Sequence, residues 1–387
     1  MQTPDSDYDV AILGAGPAGA ACALALHGCG LRVVVVDKAT FPRDKVCGDA
    51  IPGLALKALR QLNPDWHAEL LATLTARADT RDSRVVAPNG RELHIRWQLP
   101  TFNSARLHFD DHLLGLVRRH TTTELREGYA VRDVLTSATG VQLLPADSTA
   151  PPITARLLIA CDGANSVAAR RLTQRTIDKA YHCAAVRAYY ADIVGVDGAT
   201  TEFFFLKEHM AGYCWIFPVG AGVYNVGFGM LSEAVARQRV DLKKKLPELL
   251  AAHPELGKRF ANARPLSEVE GFGLPLGGRP RLLAGERFLL CGDAASLIDP
   301  LQGHGIDTAM QSGILAAQQA VRSCRQNDFS PAFLAEYEQQ VARRITSKLA
   351  RSYRLMRLVA PRPWLMNVGF AVARLPLLKR WLLRVAG

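Results

Sequence analysis

Gly14-Ala15-Gly16-Pro17-Ala18-Gly19 follows directly on the apolar run Tyr8 to Leu13 and opens an Ala/Leu-rich segment through Leu26. A second apolar run, Arg32 to Val36, ends at Asp37, with Lys38 next in the chain. Strand, glycine turn, helix, strand and acid in that order predict a dinucleotide-phosphate site. Gly14 permits the tight turn, Gly16 lets the backbone approach a pyrophosphate, and Gly19 lets the helix lie on the strand. The helix N-terminus offers free N–H groups and partial positive charge to the phosphates. Asp37, 18 residues beyond Gly19, suits two ribose hydroxyls. The competing reading is a tight turn without a ligand, and the motif by itself does not choose between FAD and NAD.

Two later stretches repeat the pattern of an apolar strand ending in glycine and acid. Leu157 to Cys161 runs into Asp162-Gly163, and Phe288 to Cys291 runs into Gly292-Asp293. Asp-Gly pairs are also ordinary turn formers. From Asp293 the chain passes through Asp299-Pro300-Leu301-Gln302-Gly303-His304-Gly305 to a helix expected from Ile306. Such an entry again points backbone N–H groups at an electron-rich partner.

Taken together, the three stations resemble the FAD-dependent oxidoreductases of the para-hydroxybenzoate hydroxylase-like group. The resemblance implies FAD, with the glycine turn on its ADP half and Asp162 and Gly163 near the pyrophosphate. It implies Asp293 on the ribityl chain and Pro300, Gly303, Gly305 and Ile306 at the N1–C2=O edge of the flavin. A helix N-terminus there stabilises the negative charge that develops on reduction. Arg106, in Arg106-Leu107-His108-Phe109-Asp110, matches an arginine that contacts FAD, and Val131 matches a strand whose backbone meets the adenine. The alternative for Arg106 is a surface helix arginine.

Two further stretches narrow the resemblance. Lys45-Val46-Cys47-Gly48-Asp49-Ala50 and Tyr213-Cys214-Trp215-Ile216-Phe217-Pro218 look like the geranylgeranyl reductase family, over residues 8 to about 320. That family reduces isolated C=C bonds of prenyl chains with reduced FAD. Cys47, Gly48 and Ala50 would pass beside the flavin, and Tyr213, Trp215 and Phe217 would line the substrate pocket. The chain departs from the family in having Asp37 where Glu is frequent, and Cys-Gly-Asp-Ala where a Cys-Gly-Gly-Gly run is frequent. Flavin-dependent halogenases carry Trp-x-Trp-x-Ile-Pro, of which Tyr213 and Phe217 replace the first Trp and the Ile.

Hydride addition to an alkene needs an acid for the second carbon. Cys47 is a candidate, since a thiol of ordinary pKa near about 8.5 can give a proton at neutral pH; the alternative is a structural thiol. His304 is either a proton donor or, the favoured reading, a hydrogen-bonder within its loop. Asp299 and Asp49 are weaker candidates. Tyr213, Trp215 and Phe217 share one strand face, which is either core or pocket. No cluster reads as a metal site.

These elements must be positioned by an α/β fold: a Rossmann-like FAD-binding domain with an inserted antiparallel β substrate domain and a C-terminal helical segment. The expected division places the FAD-binding parts at 1–80, 101–175 and 284–330. A substrate-domain hairpin occupies 81–100, turning at Asn89-Gly90, and the antiparallel domain occupies 176–283, with a helical stretch from Ser232 to Asn262. Basic amphipathic helices fill 331–387. No second strand–GxGxxG–helix unit occurs, so NAD(P)H would serve as a transient donor or another electron donor would replace it.

Charge sharpens the picture. The chain has 387 residues with 47 Lys and Arg against 36 Asp and Glu. All of the excess of 11 lies in residues 341–387, which hold no acid, so the body is neutral. That excludes a basic nucleic-acid-binding face built by the whole fold. The tail mixes cations with Trp364, Leu365, Met366, Phe370 and, beyond, Leu375 to Leu383. Either it caps the fold, or it lies on an anionic membrane surface. Eight cysteines without paired or zinc spacing, and an N-terminus lacking an apolar leader, predict a cytoplasmic setting, with peripheral contact at the inner face of the membrane. The expected enzyme is a FAD-dependent oxidoreductase that reduces C=C bonds of a lipophilic, prenyl-type substrate. The rivals are a monooxygenase or halogenase-like enzyme on an aromatic, and a flavoprotein that modifies a partner protein.

Overall fold

Four consecutive valines, Val33–Val36, are all buried, the pattern of a strand covered on both faces. In a computed structural model, which describes residues 6–210 and 212–373, this strand pairs parallel with Tyr8–Leu13. Tyr8–Leu13 pairs parallel on its other side with Ile153–Ala160, which in turn carries Phe288–Leu290. The strand Glu124–Arg126 extends the far edge beside Val33–Val36. An antiparallel pair, Val131–Thr136 and Val141–Pro145, joins through Ile153–Ala160, and the short Ala284–Gly285 beside Phe288–Leu290 completes eight strands among the described residues. The three glycine and acid stations therefore sit at the ends of three neighbouring strands, on the edge where parallel sheets bind ligands.

Two helices cover this edge. Pro17–Ala25 starts with proline at its first turn, and six of its nine residues are alanine or glycine. That smallness lets Ile306–Gln326 cross it closely: a Cβ on Gly313 would overlap the Ala18 carbonyl.

A second sheet of nine strands among the described residues holds His182–Ala191, Val223–Leu231, Gly212–Gly220 and Thr200–Phe204 in that spatial order. Glu270–Pro275 pairs along His182–Ala191 on its other side. The expected hairpin is present as Ala78–Val86 and Glu92–Asn103, with Gly90 at φ +78° in the turn. It joins this sheet through a parallel pairing of Ala78–Val86 with Thr200–Phe204. That contact departs from the all-antiparallel expectation, because the hairpin comes from a distant part of the chain and is not bound to run against its neighbour. The helical stretch expected from Ser232 to Asn262 is three helices, Ser232–Gln238, Leu242–Ala252 and Leu256–Phe260. Arg239 in the left-handed conformation and the extended His253 end the first two.

Beyond Pro331–Val341 the chain continues through the wide turn Ala342–Thr346 into Ser347–Val359. This basic segment is docked. Ile345, Leu349 and Met356 are buried, Tyr353 stacks on Tyr181 with centroids 4.2 Å apart, and Arg357 pairs with Glu233 at 2.8 Å. The helix Pro363–Ala373 follows, with Trp364 60% and Val368 50% exposed. Arg374, Lys379, Arg380, Arg384 and the apolar Leu375 to Leu383 lie outside the described residues. Among the described residues no helix is long and apolar enough to cross a membrane.

Candidate active site

The glycine turn has the backbone its motif requires. Gly14 lies at φ +105°, where a side chain would also strike the Cys161 carbonyl, and a Cβ on Gly19 would overlap the Gly14 carbonyl. Gly16 differs: within 4 Å its Cβ would meet only Arg43 Nη2, at 3.7 Å. The space in front of the helix is thus kept clear of side chains. Arg43 Nη2 is 2.9 Å from Asp110, while its Nη1 is buried without a partner. A clear space at a helix N-terminus beside an unpaired guanidinium nitrogen fits the pyrophosphate of FAD. Sequence reasoning missed Arg43; its signal was an arginine shortly after the acid that ends the second strand.

Asp37 accepts hydrogen bonds from the backbone N–H groups of Ala15 and Ala39 at 2.8 and 2.9 Å, which turns its carboxylate toward the glycine turn. Lys38 is exposed. Val131 lies two residues beyond Tyr129, whose N–H donates to the Asp37 carbonyl at 2.8 Å, so the two sequence-derived contacts for the adenosine end are neighbours. Asp162 follows directly on the strand that Gly14 abuts, but its carboxylate is taken: it accepts from Ser166 Oγ and from the N–H groups of Val167 and Ala168. It caps the helix Val167–Thr173, leaving backbone as what this station presents to a ligand. Asp293 Oδ2 lies 3.5 Å from Lys45 Nζ, which ties the Gly-Asp station to the cysteine loop.

Arg106 is buried, not a surface helix arginine. Its Nε and Nη2 donate to Asp110 at 2.6 and 2.7 Å. Burial opposes its charge, but Asp110 and the Cys47 sulfur outweigh that and raise its pKa. Burial likewise raises the Asp110 pKa, and Arg106 more than offsets it, so the carboxyl stays below its ordinary value.

The loop Asp299 to Gly305 is organised by its own acid. Asp299 Oδ1 accepts the N–H groups of Leu301 and Gln302 at 2.8 and 2.9 Å, and Ser352 of the C-terminal segment donates to Oδ2 at 2.8 Å. His304 Nδ1 is 2.7 Å from Asp307 Oδ1. Burial would lower the His304 pKa, but Asp307 raises it overall. This is the loop hydrogen-bonding arrangement. Pro300 stands between Asp299 and this ladder, and Gly305 precedes the first helical residue, Ile306.

Gly48 lies against the aromatic strand, and Cys47 before it is held through its carbonyl by Asn225 of the next strand at 2.8 Å. A Cβ on Gly48 would stand 3.3 Å from Phe217 and 3.6 Å from Trp215 Nε1. Tyr213 OH donates to the Gln302 carbonyl at 2.8 Å, beside Gly303. The strand register explains how three large rings fit: Tyr213, Trp215 and Phe217 oppose Gly229, Gly227 and Asn225. A Cβ on Gly227 would overlap the Trp215 ring. Ala50 pairs with Asn103 in a two-residue strand. The geometry therefore unites Cys47, Gly48, Tyr213, Trp215, Phe217 and Gly303, from three distant segments, at the edge of the FAD station.

Asn225 was not singled out in the sequence. It is fully buried and makes three hydrogen bonds: it accepts from Trp215 Nε1 at 2.9 Å and donates to the Cys47 carbonyl at 2.8 Å and to Asp49 Oδ2 at 2.7 Å. Its signal was a lone amide in a strand of apolar and glycine residues. Among the described residues no group of three or more His, Cys, Asp or Glu could hold a metal ion.

A family model described as a FAD binding domain matches residues 7–352. The menaquinone reductase of Mycobacterium tuberculosis is 34% identical over 326 residues, covering 81% of this chain and 76% of that protein. The digeranylgeranylglycerophospholipid reductase of Methanoculleus marisnigri is 28% identical over 367 residues, covering 90% and 86%. Among solved structures, a geranylgeranyl bacteriochlorophyll reductase-like protein from Thermoplasma acidophilum superposes with a TM-score of 0.79 at 22% identity, covering 91% and 87%. Flavin-dependent halogenases share the fold at 20% to 23% identity. The fold and the site define a FAD-dependent oxidoreductase. The chain belongs to the geranylgeranyl reductase family of those enzymes.

Proposed function

We propose that this oxidoreductase reduces C=C bonds of a lipophilic, prenyl-type substrate. FAD, when bound and reduced, supplies the hydride. The observation that carries the reading is the meeting of a thiol loop with an aromatic wall. Gly48, next to Cys47, lies across Phe217 and Trp215, and Tyr213 closes on the loop that precedes the helix Ile306–Gln326. Gly14, Gly16, Gly19, Asp37 and Arg43 would hold the ADP half; Asp293, Gly303, Gly305 and Ile306 would line the flavin's place. The wall of Tyr213, Trp215 and Phe217 excludes water from an apolar chain, and Cys47 gives the proton to the second carbon. The two relatives named above are called menaquinone reductase and digeranylgeranylglycerophospholipid reductase, names that support a lipophilic substrate class.

The test is anaerobic turnover with dithionite-reduced enzyme and a polyprenyl quinone. A product heavier by two hydrogens, formed without O2, is the expected result. Oxygen-dependent gain of an oxygen atom would overturn the reading in favour of an aromatic monooxygenase. A nicotinamide donor, binding transiently, or another reductant fills the electron supply.

A lipophilic substrate also places the enzyme at a membrane. Leu355, Leu358, Trp364 and Val368 are exposed on the C-terminal helices, and Arg351, Arg354 and Arg362 are exposed in the same segment. Rings and apolar groups beside cations suit peripheral contact with the anionic inner face. Salt-sensitive cosedimentation with anionic vesicles, lost in Trp364→Ala, checks this.

A further inference from the structure

Asp49 stands where an aspartate has every reason not to be. Its backbone lies at φ +66°, in the left-handed region that favours glycine. Its side chain is fully buried. Oδ2 accepts from Tyr189 OH and from Asn225 Nδ2, each at 2.7 Å, while Oδ1 has no partner and is closed to solvent. Strained backbone and an orphaned buried oxygen each cost free energy, so an observed pairing of the two points to a function.

The hydrogen bonds say which function. Asn225 has two amide hydrogens and uses one on Asp49 and the other on the Cys47 carbonyl; its oxygen is taken by the Trp215 indole. A primary amide so occupied has a single orientation. Asp49 also fixes the next element, since its own carbonyl accepts from the Ser104 N–H at 3.0 Å, just before the helix that carries Arg106. Asp49 thus ties together the cysteine loop, the aromatic strand and the strand of Tyr189.

We infer that Asp49 is a positioning residue for Cys47: its charged carboxylate, acting through Asn225, holds the Cys47–Gly48 segment against Trp215, and taking up a proton weakens that hold. The role of Cys47 in turnover rests on the reductase reading above; the Asp49 linkage does not.

The charges facing Asp49 explain why it titrates in a useful range. Arg106, from the helix Arg106–His120, is engaged by Asp110. Arg187, from the strand His182–Ala191, is engaged by Asp44 at 2.5 Å and by Glu270 at 3.0 Å, with its guanidinium 4.5 Å from the Tyr189 ring centroid. Tyr189, on the same strand, keeps its own proton, its pKa driven up by burial and by Asp49. Both cations are already neutralised by other acids, so they offset little of the burial cost. Burial therefore dominates and lifts the Asp49 pKa to about 6, against the hydrogen bonds of Tyr189 and Asn225 and the charges of Arg106 and Arg187.

The test uses the FAD-loaded full chain and does not depend on the substrate. Alkylation of Cys47 by iodoacetamide is followed peptide by peptide between about pH 5 and 8, as a ratio to the partly exposed Cys29 in the same molecules. The ratio removes differences in reagent strength and reaction time between samples. In the wild type we expect a step of several-fold centred near pH 6, with Cys47 better protected on the alkaline side. Asp49→Asn should flatten the profile at the unprotected level. Asn225→Ala, which leaves the carboxyl but removes the bridge, should flatten it too.

A wild-type profile without a step, or a step that persists in Asp49→Asn, overturns the assignment. With a prenyl quinone as substrate, Asp49→Asn should raise KM at pH 7.5 several-fold with a smaller change in kcat, the reverse split counting against positioning. Failure to reduce any prenyl substrate would sink the reductase reading while leaving the Cys47 profile to decide Asp49 on its own.

Discussion

The phosphate end and the pocket end of this site are built in different ways. At the glycine turn, backbone does the binding: Gly14, Gly16 and Gly19 lie within six consecutive residues, and what matters is the side chains they lack. At the pocket end, side chains do the work, and no two of Cys47, Trp215 and Arg106 come from the same element. Their connectors are polar atoms shut in the interior, chiefly Asn225, Asp49 and Asp110. A local site stands or falls with its turn. A site assembled from distant segments stands on buried hydrogen bonds and charge pairs, each of which costs heavily if half of it is removed.

Variants can press on that contrast. Gly19→Val should have the largest effect, because its side chain would enter the Gly14 carbonyl; the purified protein is expected to lack flavin absorbance altogether. Arg106→Ala comes next. It leaves the buried Asp110 with Arg43 as its remaining ion-pair partner among the described residues, and breaking such a pair costs about 3–5 kcal/mol. Urea unfolding should report this loss even where residual FAD binding survives.

Asp49 gives a pH signature of similar size and defined sign. Its folded pKa of about 6 lies above the ordinary value of 3.8, so the folded protein holds this proton more tightly than the unfolded chain. Stability is greatest with the proton on and declines as pH rises through that interval. Between about pH 4 and 7 the unfolding free energy of Asp49→Asn should therefore improve relative to wild type, by up to about 3 kcal/mol. A pH-independent difference between the two would remove Asp49 from the list of buried charged groups.

Gly227→Ala tests the pocket wall alone. The added methyl would overlap the Trp215 ring, and overpacking of this kind costs about 1–3 kcal/mol. Its expected phenotype is retained FAD with shifted indole fluorescence, the converse of Gly19→Val. Ser352→Ala is the mildest. It removes the hydrogen bond from the C-terminal segment to Asp299, worth about 0.5–1.5 kcal/mol. A measurable drop in FAD affinity here would mean that the tail stiffens the flavin loop as well as covering the fold.

The same contrast explains which parts were legible in advance. The glycine turn, the two acid-ended strands and the helix entry at Gly305 are contiguous patterns with a fixed period, and they fell where expected. The aromatic strand was visible as an alternation, but alternation gives a shared face and not what the face meets. Asp162 illustrates the limit from the other side: an Asp-Gly pair marks the strand end, while three nearby donors decide that its carboxylate caps a helix. Arg43, Asn225 and Gly313 gave little signal, since each matters through a partner far away in the chain: Asp110, Cys47 and Ala18.

The sequence by itself determined that a dinucleotide sits on this fold, because a phosphate site needs only a strand, a turn free of side chains and a helix start in succession. It also confined the excess charge to residues 341–387. Tertiary structure decided the rest. It turned much of that basic segment into a cap, by giving Leu349, Tyr353 and Met356 an apolar surface to bury against. It also brought Cys47, Asp49, Tyr189, Trp215 and Asn225 into hydrogen-bonded contact across more than a hundred residues of chain. Local patterns encode backbone geometry directly, whereas a buried polar network exists only once distant segments have excluded water together.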